Sequence, residues 1–587
     1  MKKNFFIQSI FYLNEMLNHK QKKLALSLLL IMIFGMTFEI LLLKNLMLLL
    51  NYLTNSNIET PELVVFLTNH YNFENPTILV LLIFVITFLF KSITNIIVRW
   101  KESKFIFSIK AQISELLFTG YLKLPFIYHQ RTNSAKILKN ITLEIEQFSL
   151  FIFASSKLVL ELLVMLGISI YILMYVNFYV SLSCLLAFII FGYLFNFFNR
   201  SKIKSMGVNR LIHQDERVKS IIEGLAGMRE IKLSSQEEDK IKNFIFHNNS
   251  MAQISISMNL RNAFTKPSFE VFMLIILSAF IFYFISKGSL NASLIPTIGI
   301  YLAAAYRLIP SISTIVQAIQ EIQFNLRSVQ NLYQDIKKFK YNEINNKDNK
   351  KTINFKNKIE IKELSFTYNN NDKDEKANNV LDNVNLTIKK GDFVGIQGES
   401  GSGKSTFIDI LIGLHSVKSG KILVDGLSTH ESLKSWQQLI GCVPQEVFIM
   451  DDTLKKNIAF GLSEENISEK NIERSLKFSN LKNFSLTLEK GINTIIGEKG
   501  SRLSGGQKQR IGIARAIYNN PDILIFDEST NSLDLETERQ IIDEINLLKK
   551  KKTLIIVSHN EDVIKNCDYV FKVSDKNITK ISKDKYF

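Results

Sequence analysis

Six apolar runs, near residues 24–53, 77–98, 148–175, 178–198, 268–286 and 292–320, fill most of the first 320 positions of this 587-residue chain. Each can cross a hydrocarbon core about 30 Å thick, which takes about 20 residues in a helix. In hydrocarbon a segment must pair its own backbone N–H and C=O groups, so the runs predict membrane-spanning helices. Beyond about residue 340 the sequence turns charged and alternating, as in an ordinary water-soluble domain. The expected fold is therefore an all-α six-helix membrane domain (1–340), a polar linker "YNEINNKDNKKTINFKNK" (341–358) and an α/β domain (359–587). The first run is too long, and lacks the small-residue cleavage site, to be a signal peptide.

Basic residues set the expected orientation. The loop 54–76 has no Lys or Arg, the turn near 174–178 has none, and the turn near 287–291 has Lys287 alone. The N-terminus and the segments 99–147 and 199–267 are rich in both. The positive-inside rule then places both termini, the two long loops and the polar domain in the cytoplasm. Those loops carry helical periodicity, so the spans are expected to continue out of the membrane, each pair joined by a turn. The net charge of +16 raises nucleic acid as a partner. No basic-aromatic stripe accompanies it, and cytoplasmic loops of membrane proteins are basic anyway, so no nucleic-acid role is expected. Cys184, Cys442 and Cys567 are far apart, show no metal spacing and suit a reducing compartment.

The polar domain carries the chemistry. "GDFVGIQ" reads as a strand, "GESGSGKST" (398–406) follows it, and "FIDILIGL" reads as a helix. Strand, glycine-rich loop and helix make a phosphate loop. Gly398, Gly401 and Gly403 let the backbone wrap phosphates, Lys404 can neutralise the β- and γ-phosphates, and Ser405 can hold Mg2+. In "DILIFDEST" an apolar strand ends in two acids. Asp527 is placed in the magnesium shell, and Glu528 is placed to polarise the attacking water. Tyr368, ahead of the loop, offers a ring that could stack on adenine. Gln445 lies in "GCVPQEVFIMDDTL", "LSGGQ" occupies 503–507, "SLD" occupies 532–534 and His559 ends "TLIIVSH".

In this order the motifs resemble the ATP-binding cassette transporters, in the half-transporter exporter form with the membrane domain first. "INTIIGEKG" resembles the exporter-specific loop, with Glu498 at its glutamate. The resemblance implies ATP and Mg2+ as ligands. Glu528 and His559 would be catalytic, and Ser405, Gln445 and Asp527 would surround the metal. Nucleotide contacts would come from Tyr368, Glu399, Ser400, Ser402, Thr406, Gln445 and Asp534 as well as the loop glycines and Lys404. In this family the LSGGQ of one chain caps the ATP held by another. Ser504, Gly505, Gly506 and Gln507 would then serve a partner's nucleotide, with a helix N-terminus behind them. One chain holds half of each site, so a dimer is implied. Both halves look complete, which favours a homodimer and leaves a heterodimer open.

About 23 residues precede the first span, too few for a fused peptidase. The outer loop with its amphipathic "PELVVFLTNHY", together with "GLAGMREIKL" and "AAAYRLIPSIS", looks like the flippases of lipid-linked oligosaccharides in bacterial N-glycosylation. That resemblance implies outward movement of an amphipathic lipid-linked substrate across the cytoplasmic (inner) membrane. Export of peptides, lipid A or drugs remains an alternative, as does a membrane-anchored regulatory ATPase. Intramembrane charge supplies a separate signal, because it is costly and marks cavities or partners. Lys157 and Glu161 lie one helical turn apart and can pair. Lys91 and Arg307 have no local partner and lie at matched depth. With Lys266 they form a candidate basic ring for an anionic head group. The competing expectation is that each meets a carboxylate such as Glu39 or Glu270.

Overall fold

A computed structural model describes residues 5–53, 76–175, 178–286, 294–345, 352–368, 379–528 and 535–582. The outer-loop helix candidate, the turns at Asn177 and Lys287, and Asp534 lie outside the described residues. The chain divides into two compact units, Met1–Leu124 with His129–Ile344, and Pro125–Tyr128 with Asn345–Phe587.

The first unit is helical. Among the described residues its helices of eight residues or more are α1 (Phe5–Met16), α2 (His19–Leu53), α3 (Pro76–Lys123), α4 (Ile145–Tyr175), α5 (Phe178–Ala226), α6 (Glu237–Ser286) and α7 (Leu294–Asn345). Among the described residues four helical stretches are long and apolar enough to cross a membrane: His19–Leu49, Thr77–Lys123, Ser134–Met174 and Ser181–Ala226. The fifth and sixth apolar runs lie on α6 and α7. As the loop periodicity requires, α3, α5, α6 and α7 do not stop at the membrane: they run 48, 49, 50 and 52 residues. The short helix Met228–Ser234 marks the turn between α5 and α6, and Phe126–Arg131, whose first three residues group with the second unit, marks the turn between α3 and α4. Helix α2 packs on α3 and α4, and α5 packs on α6. Beyond the apolar stretches the packing becomes polar. Glu144, in a π-helical turn Asn140–Glu144, is buried between Lys139 (3.8 Å) and Arg210 (3.5 Å), and Arg210 also donates to Ser328 Oγ at 2.5 Å.

The second unit is built on two sheets. Strands β1 (Lys358–Phe366), β2 (Leu381–Lys389), β4 (Ser419–Val424) and β5 (Leu427–Ser428) form an antiparallel sheet in the order β2-β1-β4-β5. Strands β3 (Phe393–Gly398), β6 (Ile440–Val443), β7 (Ile523–Asp527), β8 (Thr553–Val557), β9 (Tyr569–Ser574) and β10 (Asn577–Ser582) form the larger sheet, in the order β10-β9-β3-β8-β7-β6. Within it β9, β3, β8, β7 and β6 are parallel. Continuous apolar runs such as "ILIF" are what a strand covered on both faces requires. One face packs on α8 (Lys404–Leu411), through Phe407, Ile408, Ile410 and Leu411, and on the smaller sheet. Helices α9 (Glu469–Phe478), α10 (Gly505–Tyr518) and α11 (Leu535–Leu547) supply the opposite cover and a separate helical core.

The polar run 341–358 is a shorter linker than its composition suggests. Helix α7 continues to Asn345, and Ile353 and Phe355 are buried in the α/β core, with Ile353 N–H donating to Ser435 Oγ at 2.8 Å. Two apolar residues at alternate positions outweigh the lysine-rich surroundings, because alternation buries one edge of an extended segment.

Candidate functional site

Parallel strands deliver their C-terminal ends to one edge of a sheet, where ligands of open α/β folds bind. Here that edge receives Gly398 from β3, Gln445 just after β6, Asp527 from β7 and His559 just after β8. The register sets Asp527 beside Val557, so the acids and His559 emerge side by side.

The loop after β3 is held by conformation. Gly403, at φ 104°, caps α8, a backbone angle other residues rarely adopt. A Cβ on Gly398 would meet Val573 O at 2.5 Å and Ser402 Oγ at 2.7 Å. Ser402 N–H donates to Glu399 O at 3.2 Å, and the buried Lys404 ammonium donates to Gly398 O (2.8 Å) and Glu399 O (3.0 Å). The first-turn N–H groups of α8 lack intrahelical acceptors and form, with this ammonium, a basic concavity suited to phosphate. Thr406, on the same turn, bonds its hydroxyl to that of Tyr368 at 2.9 Å, which fixes the aromatic ring beside the loop. Glu399, Ser400 and Gly401 line the rest of that loop.

Opposite the loop stand the acids. Ser405 hydrogen-bonds to Asp527, whose carboxyl burial pushes up, with Glu528 adding to the rise and Ser405 and Lys404 opposing it. Glu528 sits at φ 47°, a strained angle for a glutamate that is held by its N–H donating to Val557 O at 3.1 Å. Its carboxylate accepts from Gln445 Nε2 at 3.1 Å and lies 3.5 Å from His559 Nε2. A hydroxyl, a half-buried carboxylate and an amide oxygen are hard donors, the set a magnesium ion takes, and two crowded acids favour a cation. Ser405, Asp527 and Gln445 therefore fit the metal. The Cys442 thiol behind them is pushed up to about 12 by burial, then by Asp527 and Asp409, and stays an inert thiol.

Sequence reasoning passes over Gln509 and Arg515. Gln509 is buried and donates to Gln445 O at 2.7 Å, so α10 sets the position of the Gln445 loop. Arg515 donates to Phe448 O and Asn457 O and lies over the Phe460 ring at 4.4 Å. Both follow LSGGQ on the buried side of a helix, and that spacing was the available signal. LSGGQ itself starts α10. Ser504 Oγ accepts from Gln507 N–H at 3.2 Å, and Gln507 Oε1 accepts from Ser504 N–H at 2.9 Å. This capping box assigns Gln507 to the helix end and leaves the N–H groups of Gly505 and Gly506 outside it.

In the first unit the cations expected to stand alone have partners. Lys91 Nζ lies 2.8 Å from Glu39 Oε2, and Arg307 Nη2 lies 3.0 Å from Glu39 Oε1. Arg307 also donates to Ser311 Oγ at 3.0 Å, and Ser311 donates to Glu161 Oε2 at 2.7 Å. Four helices thus share one network of zero net charge. Counted inward from Leu53, Pro76, Tyr175 and Leu294, its four charged members lie about 13–15 residues deep, roughly 20 Å at 1.5 Å per residue. Spacing within one helix could not reveal this, since the partners come from other helices at the same level. The expected Lys157–Glu161 pair is absent: Glu161 joins Arg307 at 3.8 Å, and Lys157 lies over the Phe153 ring at 4.3 Å. Lys266 does not reach the network. It pairs with Glu270 at 3.7 Å, one turn away.

Family profiles match both units: one described as the ABC transporter transmembrane region over residues 24–306, another as ABC transporter over residues 381–531. The chain belongs to the ABC transporters. It is of the exporter type, with the helical membrane unit ahead of an ATP-binding α/β cassette, and it hydrolyses ATP to drive transport. Its curated relatives include the ATP-dependent lipid A-core flippase of Pectobacterium atrosepticum, 28% identical over 83% of this chain and 81% of that protein. The protein of the same name from Francisella tularensis is 41% identical over 36% of this chain and 34% of its own. Among solved structures, a bacterial Atm1-family ABC exporter with ATP bound superimposes with a TM-score of 0.77 over 96% of this chain and 95% of that one, at 18% identity, which speaks to the fold.

The charge network gives a direct test of packing. Glu39 is 6% exposed, and removing one partner of a buried ion network leaves uncompensated charge at a cost of about 3–5 kcal/mol. Glu39→Ala is expected to lower the thermal unfolding midpoint of the detergent-solubilised transporter far more than Lys266→Ala, whose ion pair is exposed. Equal midpoints would show that the network holds nothing together.

Proposed function

We propose that this transporter works as a homodimer that flips an anionic glycolipid outward across the cytoplasmic membrane, with magnesium-bound ATP at two composite sites. The observation that carries the head-group assignment is the network at Glu39. Arg307 remains 27% exposed while its Nε and Nη2 both donate to Glu39 Oε1, at 3.2 and 3.0 Å, charge-assisted bonds that a phosphate oxygen also accepts. A phosphate replacing the Glu39 carboxylate on Arg307 and Lys91 would keep both cations neutralised. Lys266, exposed and about 30 Å from the outer end of α6, stands at the inner head-group level where such a lipid would enter. The relatives named lipid A-core flippases support a phosphorylated glycolipid, and a pyrophosphate-linked oligosaccharide offers the same anionic chemistry.

In the cassette, Ser405, Asp527 and Gln445 would hold the magnesium ion, which supplies charge neutralisation at the β- and γ-phosphates. Tyr368 stacks on the adenine, and Lys404 with the α8 N–H groups binds the phosphates. Glu528, oriented by Gln445 and His559, accepts the proton of the water that attacks the γ-phosphorus as the bond to the β-phosphate oxygen breaks. Ser504, Gly505 and Gly506 of a second copy close the site from the other side. Asp534 is placed at the same junction by its motif.

Glu528→Gln keeps the phosphate cradle and loses the proton acceptor, so it is expected to bind ATP and hydrolyse it about a hundredfold or more slowly. Parental turnover by the purified variant would remove Glu528 from the mechanism. The trans arrangement predicts that Ser504→Arg blocks hydrolysis while leaving ATP binding in place. Dimers mixed with Lys404→Ala would then recover one working site. Mixed dimers verified by pull-down yet inactive would contradict independent composite sites. For the cargo, Lys91→Ala with Arg307→Ala, made in a protein carrying Glu39→Gln and Glu161→Gln so that no buried carboxylate is stranded, is expected to retain basal ATPase in liposomes and lose stimulation by the transported lipid. Lipid A and a polyprenyl pyrophosphate oligosaccharide, offered separately, identify which glycolipid is moved. Undiminished flipping of both by this variant would overturn the head-group site.

A further inference from the structure

His415, four residues beyond α8, is a buried polar group that the ATP site leaves unused. Its side chain has no exposed surface, and neither Nδ1 nor Nε2 has a hydrogen-bond partner. Burial favours the neutral imidazole, which still carries one N–H and one lone pair to satisfy. Every ring around it is aromatic. It stacks on Phe366 at 5.2 Å and 28°, meets Tyr368 edge-on at 5.6 Å, and lies 5.9 Å from Phe126 of the short helix Phe126–Arg131. A phenylalanine would fill this place without two unsatisfied nitrogens, so the packing does not explain a histidine.

A carboxylate stands close to the imidazole. Asp409 Oδ2 stands 3.7 Å from Nε2, too far for a hydrogen bond and within a sub-ångström shift of one. Asp409 belongs to α8, the helix whose first turn carries Lys404, Ser405 and Thr406, and Thr406 is bonded to Tyr368. A bond from His415 to Asp409 would therefore tie the Tyr368 ring and α8 together at a second point, three residues (just under one turn) beyond the first. Burial of Phe407, Ile408, Ile410 and Leu411 holds the apolar side of α8, and the second bond would fix its polar side against Tyr368 as well.

We infer that His415 is a positioning residue for ATP hydrolysis: its Nε2–H closes on Asp409 when nucleotide packs against Tyr368, locking α8 and the phosphate-binding residues at its N-terminus in the productive direction. The inference rests on the reading of Tyr368 as the adenine platform and of α8 as the phosphate cradle.

The test uses the full-length transporter in nanodiscs of phosphatidylethanolamine and phosphatidylglycerol, with steady-state ATPase kinetics and thermal unfolding. His415→Phe keeps the ring stack and removes the nitrogens. It is expected to leave the KM for ATP within about twofold and lower kcat by about tenfold, a split that lost packing would not give. His415→Gln, which restores an N–H donor, should recover most of that kcat. Asp409→Leu should match His415→Phe, and the double variant should be no slower than either, since both remove one bond. Parental kcat for His415→Phe, or fully additive losses in the double variant, would overturn the inference. Where His415→Phe fails to assemble, Asp409→Leu compared with Asp409→Asn applies the same criterion from the other side. Tyr368→Ala is the control for the underlying reading: an unchanged KM for ATP there would remove the platform and leave the His415–Asp409 result to be judged on kcat alone.

Discussion

A peptide group in hydrocarbon has no water to bond with, and the shape of the first unit follows from that constraint. The apolar runs become helices because no other open structure closes its own hydrogen bonds there. Once formed, a helix propagates at little cost wherever the sequence allows, so α3, α5, α6 and α7 pass the membrane boundary without interruption. Their outer parts, freed of the lipid constraint, exchange apolar for polar packing. Glu144, Lys139 and Arg210 meet there in a buried cluster that would be untenable unpaired.

The cassette solves a different problem, that of collecting charged groups from distant parts of the chain at one edge. Parallel strands covered on both faces leave their C-terminal edge as the place where polar side chains reach water together. Gly398, Gln445, Asp527 and His559 arrive at that edge from four strands that are distant in sequence. The cost is visible locally. Glu528 is held at a left-handed backbone angle, and the Asp527 carboxyl is pushed up by burial and by its neighbour. Strain and crowding of like charge at one edge are what a site awaiting a polyphosphate and a cation would show.

Much of this was legible from sequence because the signals were local. The phosphate loop, the acid pair after an apolar strand and the span lengths all depend on neighbours within a few residues, and each element lies where its pattern put it. Relations across elements were not legible. Lys91 and Arg307 read as solitary because Glu39 is 52 and 268 positions away, on another helix at equal depth. Lys157 beside Glu161 read as a pair, yet Glu161 is claimed by Arg307 and Ser311. Gln507 read as a nucleotide contact, and its side chain closes the cap of its own helix. Ile353 and Phe355 were hidden in a lysine-rich stretch whose average composition says linker. For the charged residues and for Ile353 and Phe355 the deciding partner was supplied by the tertiary fold, whereas the partner of Gln507 is Ser504, three residues away.

The network of Glu39, Lys91, Glu161 and Arg307 has an electrical consequence. One elementary charge carried across the membrane field exchanges about 2.3 kcal/mol per 100 mV. Two cations and two anions at a common depth sum to zero, so shifting this network as a unit does no net work against the membrane potential. The network itself is then electrically silent, and any voltage dependence of its movement comes from charges outside it, such as Lys44 and Lys157 on the same helices.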